Sequence, residues 1–149
     1  MEPHIDVITL AVSDLERSLV FYRDGLGLEG ELVGTEYAGD ELTPAGAAAM
    51  FKLKGGSMLM LYPRSELAKD ANIAPAPAQT GEFSIGHLVA NPADVDALLA
   101  RAEDAGATLT DRPHDRPWGI YSGYFRDLDG HLWEVICNPR MAPQELKTA

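Results

Sequence analysis

The feature that most constrains the fold is that the chain opens twice in the same way. Residues 7–12, Val-Ile-Thr-Leu-Ala-Val, read as a strand, and Ser13-Asp14 then offer an N-cap to a helix carrying Leu15, Leu19, Tyr22 and Leu26 on one side, ended by Gly25 and Gly27. Residues 85–90 read as a second such strand. Asn91-Pro92 or Asp94 then opens a helix with Val95, Leu98, Leu99, Ala102 and Ala105 at helical spacing, stopped by Gly106. Strand candidates follow each helix, at 30–37, 48–54 and 57–62 in the first half and at 107–110, 120–126 and 131–137 in the second. The turns Lys54-Gly-Gly-Ser57 and Asp127-Leu-Asp-Gly130 suit hairpins between the last two strands of each half. The expected class is α+β, with β-α-β-β-β written twice.

Spacing sharpens the repeat. Val7 precedes Asp14 by seven residues and His87 precedes Asp94 by seven, while Met60 follows Gly56 by four and Glu134 follows Gly130 by four. That count pairs Val7 with His87 and Met60 with Glu134, one structural position each in two copies of a module. The expected division is a first module over about 5–62, a Pro/Ala-rich connection over about 63–82, a second module over about 83–139 and a C-terminal tail over 140–149. A long loop near 38–47 interrupts the first module and is placed to cover a pocket.

Composition removes several classes of function. A chain of 149 residues with 46% hydrophobic content buries an adequate core without disulfides or a structural metal, so stability is no argument for either. The formal charge of −11 disfavours nucleic acid and anionic membranes, which call for clustered Lys and Arg. Met1 runs directly into Glu2-Pro3-His4 with neither a basic leader nor a long apolar run, so a cytoplasmic protein is expected. The single cysteine, Cys137, has no partner for an internal disulfide and reads as a packed thiol.

Two stretches carry a resemblance that covers about residues 5–139. Ile8-Thr-Leu-Ala-Val-Ser-Asp-Leu-Glu-Arg-Ser-Leu-Val-Phe-Tyr-Arg-Asp-Gly-Leu-Gly27 resembles the opening strand and helix of the vicinal oxygen chelate superfamily, which includes glyoxalases, bleomycin resistance proteins and extradiol dioxygenases. Tyr124-Phe-Arg-Asp-Leu-Asp-Gly-His-Leu-Trp-Glu-Val135 resembles that family's Asp-Pro-Asp-Gly turn and the strand bearing a metal-ligating glutamate, with Leu128 in place of the usual proline. The resemblance implies a concave, partly open barrel-like sheet with helices outside, a small-molecule ligand, a homodimer, and a divalent metal (Zn, Ni, Mn or Fe) held at the positions of Val7, Met60, His87 and Glu134.

Here that ligand set is half erased. Val7 has no donor atom and the Met60 thioether is a poor ligand for these ions, which leaves His87 and Glu134, with His114 a further donor in a loop. Strand alternation puts Val7, Thr9, Met58, Met60, His87, Asn91 and Glu134 on the mixed, pocket-side face, opposite the uniformly apolar Ile8, Leu10 and Val12. His87 and Glu134 are therefore the candidate acid-base or hydrogen-bonding pair, and metal ligands only if a metal binds; no cofactor is assigned. Trp118, Tyr121 and Tyr124 are candidate stacking residues for a planar ligand. Three functions stay open: a glyoxalase-related enzyme with an incomplete or altered metal site, a bleomycin-resistance-like protein that sequesters a drug or metabolite, and a metal-dependent lyase or dioxygenase with atypical ligands. Lactoylglutathione lyase activity is not expected, because stabilising an enediolate needs the metal.

Overall fold

The computed structural model describes residues 1–78 and 81–143, so residues 79–80 of the expected connection and 144–149 of the expected tail lie outside the described residues. Two compact units result, one covering residues 1–77 and the other beginning at Ala78. The eight strands among the described residues form two four-stranded sheets, one in each unit.

The first unit holds β1 (Val7–Val12), α1 (Leu15–Val20), β2 (Gly30–Val33), β3 (Ala48–Lys52), β4 (Met58–Pro63) and α2 (Arg64–Ala71). Its sheet order is β1-β4-β3-β2, with β1 parallel to β4 and the other pairs antiparallel. Asp14 caps α1 by accepting from the Arg17 N–H at 3.0 Å, as its position before the apolar run predicts. The helix then widens into a π-turn over Phe21–Gly25. That extra residue per turn lets the adjacent Phe21 and Tyr22 both enter the core, where their rings meet edge to face at 5.0 Å. Leu10, Val12, Phe51, Leu59 and Leu61 seal against them, each 2% exposed or less. Burial on this scale contributes about 1.5–3 kcal/mol per large side chain.

The second unit holds β5 (Ile85–Leu88), α3 (Pro92–Asp104), β6 (Thr108–Asp115), β7 (Tyr121–Arg126) and β8 (Leu132–Cys137), in sheet order β5-β8-β7-β6. The helix α3 lays Val95, Leu99 and Ala102 on the sheet, and Gly123 of β7 permits the close approach. A Cβ there would stand 2.5 Å from Leu99 Cδ1. The β7–β8 turn is fixed by Asp127, which accepts from Asp129 N (3.0 Å), His131 N (2.8 Å) and His131 Nδ1 (2.7 Å). His131 is thereby a turn residue.

Two elements depart from the sequence expectation. The stretch Arg64–Ala71, expected within an irregular connection, is helical because Ser-Glu-Leu-Ala-Lys-Asp-Ala contains good helix formers between Pro63 at the cap and Asn72, which closes the helix in the left-handed conformation. Residues 112–115, expected as loop, extend β6; Pro113 is tolerated because β6 is an edge strand with two register shifts.

Candidate functional site

The register of the second sheet decides which side chains meet. On one face Tyr124 of β7 stands opposite Glu134 of β8, with Ser122 opposite Ile136. On β6, Asp111 stands opposite Tyr124 and His114 opposite Ser122. Regular alternation would send residues 111 and 114 to opposite faces. The register shift between them brings both onto the face of Glu134. The reverse face, with Phe125 and Val135 buried, belongs to α3.

On that common face the side chains form a continuous hydrogen-bonded chain across three strands. Ser122 is fully buried, and its hydroxyl donates to Glu134 Oε1 at 2.9 Å while accepting from Arg116 Nε at 2.5 Å. Arg116 Nη2 donates to Asp111 Oδ2 at 2.8 Å and to the Ser122 carbonyl at 3.3 Å, and its guanidinium lies 5.3 Å from the centre of the Tyr124 ring. The Tyr124 hydroxyl donates to Glu134, and burial followed by this bond to a carboxylate raises the phenol above its ordinary value. Asp111 is lowered, first by Arg116 and then by His114. His114 sits between two acceptors, the Asp115 carbonyl at Nδ1 (2.9 Å) and Asp111 Oδ2 at Nε2 (3.0 Å). Both ring nitrogens must then donate. The geometry fits the imidazolium, and the two acceptors raise its pKa in that order.

Charge is distributed unevenly along the chain. Asp111 pairs with Arg116 and His114, whereas half-buried Glu134 is held by two neutral hydroxyls, with no cation within ion-pair distance among the described residues. A carboxylate so placed is oriented by the protein yet keeps acceptor capacity for an incoming polar hydrogen.

Other expected site residues stand elsewhere. The helix cap in the second module is Asn91, whose side chain accepts from Asp94 N at 3.0 Å, so Asn91 serves the helix, and the repeat must be counted from Asn91 rather than Asp94. Seven residues before Asn91 is Ser84, which therefore matches Val7, and His87 matches Leu10. The ladders agree: Leu10 pairs with Leu61 and His87 with Val135, while Thr9 pairs with Met60 and Gly86 with Glu134. The expectation that His87 and Glu134 share a face is thus overturned; they lie on neighbouring rungs and emerge on opposite sides, with His87 exposed. Tyr121 also lies on the reverse face, where its hydroxyl donates to Asp96 of α3 at 2.6 Å. Trp118 occupies the turn just after Arg116, 76% exposed and in the left-handed backbone region at φ 66°.

In the first unit Val7, Thr9, Met58 and Met60 do share one face, with Val7 opposite Met58 and Thr9 opposite Met60. Met50 of β3 pairs with Met60 and joins them. Its signal was the alternation with Phe51, which is fully buried next to it.

The residues present do not fit the metal that the resemblance implies. Val7 has no donor, Met60 offers a thioether, Ser84 replaces a histidine-type ligand, and Glu134 is engaged by Ser122 and Tyr124. Among the described residues no three His, Cys, Asp or Glu side chains are grouped to hold an ion.

Comparison with known proteins places these features in context. The family model described as Glyoxalase/Bleomycin resistance protein/Dioxygenase superfamily matches residues 4–135. Solved structures with the same fold include a glyoxalase-related enzyme from Fulvimarina pelagi, 27% identical over 99% of both chains with a TM-score of 0.76. A lactoylglutathione lyase from Agrobacterium tumefaciens is 29% identical over 97% of this chain and 100% of its own, with a TM-score of 0.65. The hypothetical protein SA1046 from S. aureus, at 22% identity, covers 92% of this chain and 95% of its own with a TM-score of 0.72. A search of curated proteins finds no match.

Proposed function

Because the chain belongs to the Glyoxalase/Bleomycin resistance protein/Dioxygenase superfamily, we propose that it is a glyoxalase-related small-molecule protein with an altered site, in which Glu134 takes a polar or acidic hydrogen of the ligand directly. The observation that carries this reading is the half-buried Glu134 carboxylate, fixed by Ser122 and Tyr124 and left without a cation. Arg116 steadies Ser122 from behind, so the acceptor oxygens are held in place before a ligand arrives. If the reaction is proton transfer, Glu134 is the base and the Tyr124 hydroxyl stabilises the carboxylate it donates to. Trp118, exposed beside Arg116, is the proposed stacking surface for a planar part of the ligand. The same contacts, without turnover, suit sequestration of a drug or metabolite, and the acidic charge of −11 supports that second reading for a ligand bearing an ammonium or N–H group.

The test is mass spectrometry of small molecules extracted from the purified protein, run beside elemental analysis after dialysis. The reading expects a retained organic compound that Glu134→Gln and Tyr124→Phe deplete. One tightly held ion per chain, or retention indifferent to both variants, overturns it. Product formation from the retained compound separates an enzyme from a sequestering protein. No helix among the described residues is long and apolar enough to cross a membrane. The homodimer belongs to this proposal and is checked by sedimentation at micromolar concentration.

A further inference from the structure

The loop between β2 and β3 is built as a closed unit. At its neck Gly34 and Gly46 approach so closely that a Cβ on Gly34, which has φ 69°, would collide with the Gly46 carbonyl, and one on Gly46 would stand 2.7 Å from the Gly34 oxygen. Above the neck Tyr37 N donates to the Gly34 carbonyl (3.2 Å) and Gly46 N to the Tyr37 carbonyl (2.9 Å). Asp40 Oδ1 gathers the N–H groups of Leu42 (2.8 Å) and Thr43 (2.7 Å) at the tip.

This unit is fastened to the rest of its module at two places. Ala45 is gripped on both sides, its N–H donating to Glu66 Oε2 at 2.9 Å and its carbonyl accepting from the Tyr62 hydroxyl. Lys69 donates to the Asp40 carbonyl at 2.9 Å and pairs with Glu66 at 2.8 Å. Glu66 and Lys69 are only 18% and 26% exposed, so these bonds are partly shielded from water. The Lys69 ammonium, followed by the Ala45 N–H, holds the Glu66 carboxyl below the usual glutamate range.

The fastening point bears on the methionine face. Tyr62 pairs with Ala11 on the same face as Thr9, Met60, Val7 and Met58. Along β1 that face changes from exposed Val7 and Thr9 to half-buried Ala11, and the covered end is the one where Tyr62 holds the loop.

We propose that residues 37–46 are a preformed strap latched over one end of the methionine face, with Glu66 as the latch, and that breaking the latch opens the strap as a body and uncovers that end. The inference is independent of Glu134 and its partners, which lie in the other unit.

Backbone amide exchange and methionine oxidation by dilute peroxide test it on the full-length chain. In Glu66→Gln the Ala45 amide should exchange about tenfold faster or more, since a bond to a charged acceptor is replaced by one to a neutral acceptor. The amide of Phe51 in β3 should keep its rate. Met60 should oxidise faster in the variant, with fully exposed Met1 as the internal standard. Tyr62→Phe breaks the second grip without touching charge and should act in the same direction, and it carries the test if Glu66→Gln loses its far-UV spectrum. Unchanged Ala45 exchange in the folded variants overturns the latch. Faster Ala45 exchange with unchanged Met60 oxidation overturns the claim that the strap guards that face.

Discussion

Replacing Ser122 by alanine is the sharpest single perturbation of the polar chain. The serine is fully buried and makes two bonds to charged partners, donating to Glu134 and accepting from Arg116. A bond of that kind contributes about 1.5–3 kcal/mol, and an alanine removes both while leaving each partner short by one. The partners are only partly buried and keep other contacts: Arg116 retains Asp111, and Glu134 retains Tyr124. The loss should therefore fall near that of one such bond, about 2–3 kcal/mol, rather than twice that. For a chain of this length that corresponds to a fall in Tm of about 4–12 °C. Urea unfolding of the parent, Ser122→Ala, Glu134→Gln and the double variant supplies a cycle in which the coupling should reach about 1 kcal/mol. A Ser122→Ala variant within about 0.5 kcal/mol of the parent, or additive single effects, would refute the relay as an energetic unit.

Three further outcomes follow from the geometry. His114 is raised by the Asp115 carbonyl and Asp111, so its contribution is complete below the ordinary histidine range and is lost as pH rises through the folded value. Asp111 is lowered by Arg116 and His114, so its contribution is present above the ordinary aspartate range and is lost as pH falls through the folded value. An NMR titration should find the His114 midpoint above that of an ordinary histidine side chain and lower in Asp111→Asn; equal midpoints in the two proteins would count against the pair. Gly123→Ala should cost about 1–3 kcal/mol in thermal unfolding, because the new methyl meets Leu99 at 2.5 Å and the Asp111 carbonyl at 3.0 Å. Asp127→Ala should cost at least about 2 kcal/mol, since three donors of the β7–β8 turn lose their acceptor, and a stable variant would show that the turn holds itself.

The repeat was readable because its determinants are local. Alternating strands, helix caps and glycine stops gave two β-α-β-β-β copies and placed Val7, Thr9, Met58 and Met60 on one face, as the ladder shows, whereas the pairing of Tyr124 with Glu134 came only from the register of β7 and β8. His87 was misplaced for an equally local reason, since Asn91 and Asp94 are both plausible helix starts and the choice moves the count by three residues, an odd number that exchanges the faces of a strand. Asp111, His114, Arg116 and Ser122 left no periodic signal as a group. The bulged register of β6 that aligns them depends on pairing with β7, and Pro113 made that stretch read as loop. The grip of Glu66 on Ala45 spans twenty-one positions of sequence and needed the unexpected α2 to form.

The alternation of rungs in β4 and β8 has an evolutionary consequence. Leu61 and Val135, at matching places in the two copies, are each 0% exposed, while the residues immediately before them, Met60 and Glu134, face the other way. Whatever holds a copy together is carried by one set of rungs, and whatever it offers to the outside is carried by the next. Natural selection can therefore rewrite the outer set in one duplicate without unsettling either hydrophobic interior. Sulfur and hydrocarbon on the outer rungs of one copy and a carboxylate with its hydroxyl escort on those of the other are two different chemistries carried on the same scaffold.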